Sequence, residues 1–151
     1  MQGKRNLSLI NISAYKHSTS IQIRFVDIDK MGHVNNATIL SYFEIARTNF
    51  FDDVIGQQDN WFERGLIIAH TDIDYLQPVY LRDDVKVLVR IAKTGTKSFD
   101  VEHVLIKMVD VKQVICAIAN SILVCMDYTK KQTIEIPADW KEKMNTFYKS
   151  L

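Results

Sequence analysis

The segment RFVDIDKMGHVNNATILSYFEIAR, residues 24–47, concentrates side chains able to do chemistry. Asp27 and Asp29 stand two apart, Gly32 and His33 follow, and Asn35 and Asn36 open a run with helical apolar spacing. The leading N–H groups of a helix have no acceptor within it and carry the positive end of its dipole. An N–H near Asn36 or Ala37 is therefore a donor for the oxygen of a polarised carbonyl. Asp29, just upstream, can attack such a carbonyl or take a proton from a water that does, and the sequence leaves both routes open. Asn35 is an N-cap by residue type, and the Asn36 side chain is a further contact to a bound group. His33 titrates near neutrality by nature and is a second candidate base. The plainer alternative makes Asp27 and Asp29 ordinary acids at a strand end, with Asp29 shaping a turn.

The surrounding pattern supplies the elements that hold these residues. Residues 20–27 alternate Ile21, Ile23 and Phe25 with Gln22 and Arg24, which predicts a strand facing a core on one side. From about 36 to 53 the apolar positions Ile39, Leu40, Tyr42, Phe43, Ile45, Ala46, Phe50 and Phe51 cover more than half of a helical wheel. That predicts a helix buried on several sides. Residues 57–65 read as a short helix capped by Gly65. Four strands are expected over 66–76, 84–93, 97–109 and 112–127, joined by turn-rich links that predict antiparallel neighbours. Pro137 then opens a C-terminal helix to about 149. The order reads as one α+β domain spanning 1–151: a curved five-stranded antiparallel sheet wrapped around a long central helix.

Composition narrows the function. The chain carries 19 basic and 18 acidic residues, a balance without an electrostatic footprint for nucleic acid or an anionic membrane. No apolar run is long enough to span a bilayer. The N-terminus, MQGKRNLSLINIS, is basic and then mildly apolar, but Asn and Ser interrupt it, so no signal peptide is expected and the default location is the cytoplasm. Cys116 and Cys125 are the only cysteines, nine residues apart in one expected strand. A regular strand would place them on opposite faces about 30 Å apart, as two core thiols. Without a Cys/His cluster a metal site is unsupported.

The segment 24–47 resembles the N-terminal signature of the 4-hydroxybenzoyl-CoA thioesterase-like acyl-CoA thioesterases. Asp27, Asp29 and Gly32 match their aspartates and glycine, and EIAR (Glu44 to Arg47) matches their Glu-x-Ala-Arg. DIDYLQPVYLRDD at 72–84 resembles the second signature, and TGTKSFDVEH at 94–103 the turn into the fourth strand. The resemblance covers roughly residues 18–128 and implies a hotdog fold. It further implies hydrolysis of an acyl-CoA to a free acid and CoA, with Asp29 as the catalytic carboxylate and no metal or redox cofactor. HVNN at 33–36 is also similar to plant-type acyl-ACP thioesterases, which leaves the carrier open, and a non-catalytic acyl-CoA or fatty-acid binding module is the alternative outside enzymes. A hotdog dehydratase would need an Asp/His pair at another spacing. The family pairs two sheets, so a homodimer or homotetramer with active sites at the dimer interface is implied. His70 lies on a strand that would approach the partner's site. Lys97 and Ser98 are candidate donors to CoA phosphates. Glu44 and Arg47, three apart, are expected to form a structural pair. Trp61, Phe62 and Tyr42 are candidate acyl-pocket walls.

Overall fold

The computed structural model describes residues 9–57 and 59–150. Residues 1–8 of the basic N-terminal stretch and Gln58 of the expected short helix lie outside the described residues. The elements run β1 (His17–Ile21), α1 (Asn36–Val54), β2 (Gly65–Tyr75), β3 (Val85–Thr94), β4 (Ser98–Val109), β5 (Lys112–Asp127), β6 (Gln132–Thr133) and α2 (Ala138–Lys149). The sheet order is β1-β3-β4-β5-β2, with two-residue β6 on β5, and every pairing is antiparallel. This is the hotdog fold, a curled sheet around one long helix.

Alternation explains the packing. Val85, Val87 and Val89 of β3 and Phe99, Val101 and Leu105 of β4 point to one face, against Ile39, Phe43, Ala46 and Phe50 of α1. On the opposite face, Leu88, Val104, Ile106 and Ile118 pack beneath Ile10, Ile12 and Tyr15 of the N-terminal segment. The helix is less enclosed than its wheel predicts: Leu40 and Ile45 are 44% and 48% exposed.

Four local expectations change. The first strand ends at Ile21, and residues 25–27 form a 3-10 turn that leaves Phe25 and Val26 exposed. The Asp27 carboxylate accepts from the Arg24 backbone N–H at 2.9 Å and from its guanidinium at 2.8 Å, closing a turn that extended backbone cannot make. Residues 57–65 hold turns among the described positions, and Gly65 begins β2. A Cβ there would collide with the Trp61 carbonyl and lie 2.6 Å from the Tyr128 ring, so the glycine serves a close approach and not a helix cap. β2 is not paired with β3; it crosses to the far side of β5, since β1 occupies the other edge of β3. Finally, the register of β4 against β5 jumps from Leu105↔Ala117 to Ile106↔Ile115, a bulge at Cys116. The bulge shifts the facing pattern, so Cys116 and Cys125, both free, join the same core cluster. Pro137 is the cap preceding α2, its carbonyl accepting from Trp140 and Lys141.

Candidate active site

The loop between β1 and α1 is a tight hairpin held at its base by a bridge between Ile28 and Val34. The Asp29 N–H donates to the His33 carbonyl and the Gly32 N–H to the Asp29 carbonyl, each at 3.0 Å. Gly32 sits at φ +86°, a left-handed conformation that favours glycine. The loop is pinned from outside as well, since the Val34 N–H donates to the carbonyl of Val79 at 2.8 Å. Val79 belongs to the 76–84 crossover and is buried, so the link between β2 and β3 forms the floor under the loop.

On this scaffold the two aspartates part company. Asp27 is buried, and its carboxylate accepts from Arg24 and from the Tyr42 hydroxyl at 2.7 Å. Burial pushes its carboxyl up, but the hydrogen bonds from Arg24 and Tyr42 outweigh that and hold it below the usual carboxylate range. Asp29 keeps a partly exposed carboxylate: one oxygen accepts from the Met31 N–H at 2.8 Å, and the other lies 3.9 Å from His33 Nδ1. One oxygen is thus oriented by the backbone and the other is left toward solvent and His33.

The helix start is nearly consumed by its own capping. The Asn35 N–H donates to the Asp27 carbonyl, the Ala37 N–H to Asn35 Oδ1 at 2.8 Å, and the Thr38 N–H to the Asn35 carbonyl. Asn35 is the N-cap by geometry as well as by type. That takes Ala37 out of the pool of free donors and leaves the Asn36 N–H, at the first helical position, without an acceptor among the described residues. Asn36 and His33 line a cleft of about 370 Å³ with Tyr75, Leu76 and Tyr80. The Tyr75 hydroxyl donates to the Asn36 carbonyl at 3.1 Å and so ties the end of β2 to the helix start.

The remaining candidates lie elsewhere. His70 is exposed on β2, its Nε2 3.7 Å from Asp72. Lys97 precedes β4 and reaches Thr133 at 3.4 Å, and Ser98 begins β4 opposite Val124. Both sit at the opposite end of β4 from Lys107, which bonds the Pro78 carbonyl beside the crossover. Within one chain they are therefore not gathered with Asp29. Glu44 and Arg47 line a separate cavity, where Glu44 partly offsets the burial that lowers the Arg47 guanidinium. Trp61 lines that cavity, Phe62 is 77% exposed, and Tyr42 is spent on Asp27. Among the described residues no group of three or more His, Cys, Asp or Glu is placed to hold a metal, and no helix is long and apolar enough to cross a membrane.

Two contributors were not anticipated. Tyr75 could have been suspected from the Asp-Tyr ending of the 72–75 stretch. His103 is fully buried on β4 with both ring nitrogens lacking hydrogen bonds, 5.4 Å from the Phe43 ring. Burial, with the Arg47 cation adding to it, pushes its imidazole down to about 3 against an opposing contact from the Ala119 backbone. Its place in the alternation with Val101 and Leu105 was the available signal.

Comparison with known proteins adds the following. The profile of the thioesterase-like superfamily matches residues 23–144. The long-chain acyl-CoA thioesterase FadM of Escherichia coli (strain K12) is 23% identical over 134 residues, 87% of this chain and 98% of that protein. The chloroplastic acyl-acyl carrier protein thioesterase ATL3 of Arabidopsis thaliana is 25% identical over 133 residues, 87% and 68%. The match to the uncharacterized protein YsmA of Bacillus subtilis (strain 168), 24% identical over 91 residues, spans 61% of that protein's length. Among solved structures, a thioesterase from Thermus thermophilus complexed with coenzyme A and Zn superposes with a TM-score of 0.74 at 30% identity, over 86% of this chain and 98% of that one.

Proposed function

The chain belongs to the thioesterase-like superfamily, and on that footing we propose that it hydrolyses the thioester of an acyl-CoA to a free acid and CoA. The reading is supported by a backbone-oriented Asp29 carboxylate in the loop that leads into α1, whose first N–H, that of Asn36, has no acceptor among the described residues. The Asn36 N–H, backed by the helix dipole, polarises the thioester carbonyl and stabilises the oxyanion that forms on attack. Asp29 either adds to the carbonyl carbon, giving an anhydride that water then opens, or removes a proton from the attacking water. His33 lines the same cleft and is a neighbour able to exchange a proton with Asp29. Tyr75 positions the donor by holding the Asn36 carbonyl.

The same reading includes a two-fold dimer. β2 is eleven residues long and, among the described residues, bonded on one side alone, to β5, and it exposes Ile67 and Ile68. A long open edge with apolar side chains is a surface that pairing with a second copy removes. Two such dimers would make the tetramer also expected from the resemblance. Two free, buried thiols suit the reducing cytoplasm expected for it.

A thiol-release assay across an acyl-CoA panel tests the reading. Asp29→Asn is expected to keep the fold and lower turnover by about 10²–10⁴-fold; unchanged kcat/KM across the panel would sink it. The match to ATL3 supports a second carrier, so the panel includes acyl-ACP substrates, and a strong preference for them would move the assignment. Tight acyl-CoA binding with no thiol release would identify a binding module instead.

A further inference from the structure

The crossover from β2 to β3, residues 76–84, is irregular backbone, yet it walls the cleft at the helix start and pins the Asp29 loop through Val79. A segment without a hydrogen-bonded ladder keeps one shape only if partners elsewhere hold it. Its two ends are tied by backbone. The Leu76 and Gln77 N–H groups donate to the Cys116 carbonyl at 2.8 and 3.1 Å, and the Met108 N–H donates to the Asp84 carbonyl at 3.2 Å. Between those ties stands Lys107 of β4, whose side chain is 11% exposed. Its ammonium donates to the Pro78 carbonyl at 2.9 Å and to the Asp83 carboxylate at 3.0 Å, and it lies 5.2 Å from the centre of the Tyr80 ring. The same Asp83 oxygen accepts from the Tyr80 N–H at 2.9 Å, and the Asp83 N–H donates to the Tyr80 carbonyl at 3.0 Å. One cation thus engages the crossover on both sides of Val79.

A lysine that only balanced surface charge would keep its ammonium in water. This one exchanges hydration for a carbonyl, a carboxylate and a ring face, and loses side-chain freedom in doing so. The contacts run on from there. Pro78 and Tyr80 flank Val79, whose carbonyl accepts from the Val34 N–H at 2.8 Å, and Val34 closes the hairpin that carries Asp29. Lys107 itself does not line the cleft, whereas Pro78, Val79 and Tyr80 do. We infer that Lys107 is a positioning residue for hydrolysis: it fixes the crossover as the floor on which the Asp29 hairpin and the Tyr80 wall are set. The inference rests on the thioesterase reading. Its consequence is kinetic, because a shift of the loop by about 1 Å is enough to slow a reaction whose groups must be aligned.

The test uses the full chain and two readouts, kcat for thiol release well below Tm and amide hydrogen exchange at Val34. Lys107→Met keeps the stem and removes the donor. It is expected to lower kcat by about 10–100-fold, with KM changed less, and to speed exchange at Val34 ahead of the amides of the sheet core. Asp83→Asn should act in the same direction, and the double variant should lose no more than Lys107→Met alone, since both act through one contact. Arg90→Met is the control. It breaks the ion pair with Glu102 on the sheet face that Tyr15 covers, and is expected to lower stability with kcat and Val34 exchange at their wild-type values. A Lys107→Met protein that loses stability but keeps wild-type kcat overturns the inference. Unchanged exchange at Val34, a change confined to KM, or losses that add in the double variant overturn it as well. If Lys107→Met does not fold, Asp83→Asn carries the same two readouts and the same refutations. Absence of thiol release in wild type, or release that ignores Asp29, refutes the thioesterase reading and the inference with it. Asp29-dependent release that ignores Lys107 refutes the positioning role alone.

Discussion

The Tyr42 hydroxyl donates to the Asp27 carboxylate at 2.7 Å, with both side chains buried. This bond joins the second turn of α1 to the 3-10 turn that launches the Asp29 loop, and so ties that loop to the helix. Tyr42→Phe leaves a buried carboxylate short of a donor and is expected to cost about 1.5–3 kcal/mol, read as a lower denaturant midpoint at unchanged m. Because the folded-state value of Asp27 is lowered, its contribution is present above the unfolded carboxylate range and is lost as pH falls through the folded value. Tyr42→Phe should therefore lose less stability than wild type when the medium is taken below about pH 4.

The Asn36 amide can be deleted without breaking the helix. Proline is tolerated at the first helical position, and Asn35 already has the extended backbone, φ −61° and ψ 139°, that a following proline requires. Asn36→Pro is expected to lower kcat by about 10²–10³-fold, as loss of an oxyanion donor does, with a small change in Tm. An active Asn36→Pro protein would remove this N–H from the mechanism. Asn36→Ala, which keeps the N–H, separates the backbone role from the side chain.

His103 makes the fold acid-sensitive in a different window. Its folded-state value, about 3, lies below the ordinary 6.5, so above pH 6.5 both folded and unfolded chains hold it neutral and it adds no pH dependence. Below pH 6.5 the unfolded chain gains a proton that the buried ring does not, and stability falls progressively toward pH 3. His103→Leu is expected to flatten that limb in denaturation curves taken between about pH 7 and 4. Near neutral pH it should be neutral or stabilising, since it removes two unbonded buried nitrogens. A wild-type-shaped profile in this variant would place the acid sensitivity elsewhere.

Gly65 marks the place where β2 passes the Trp61 carbonyl and the Tyr128 ring. Gly65→Ala must push one of them aside, and Tyr128 is tethered to the Leu66 carbonyl at 2.8 Å. The variant is expected to lose on the order of 1–3 kcal/mol and to perturb the cavity beside Trp61 more than the Asp29 loop. A lower denaturant midpoint at unchanged m is the measurement that checks it.

Much of this molecule is legible in its residues because much of it is local. Alternation in 85–94 and 98–109 and the 3.6-residue spacing of 36–54 are properties of single segments, so the four long strands and the central helix could be placed within a residue or two, whereas the first strand, expected over 20–27, is His17–Ile21. The N-cap role of Asn35 and the loop position of Asp29 and Gly32 are likewise written within about ten residues. Where a side chain's partner lies far along the chain, pattern carries no such information. Asp27 reads as a strand acid until Tyr42 folds onto it, and Ala37 reads as a donor until the Asn35 side chain claims it. The Cys116 bulge is a mismatch between two strands, invisible in either alone.

The residues of this chain settled early that a curved sheet would hold one long helix, and that a carboxylate would stand ahead of its N-terminus. Periodicity and capping act over a few residues, and those decisions need nothing more. Which donors the capping leaves over and which strand stands at the sheet edge were set only by long-range pairing. Tyr75 reaches back 39 residues to Asn36, and β2 passes over β3 to pair with β5. Competition among distant hydrogen-bonding partners made those choices, and it is resolved only when the whole sheet has closed around the helix.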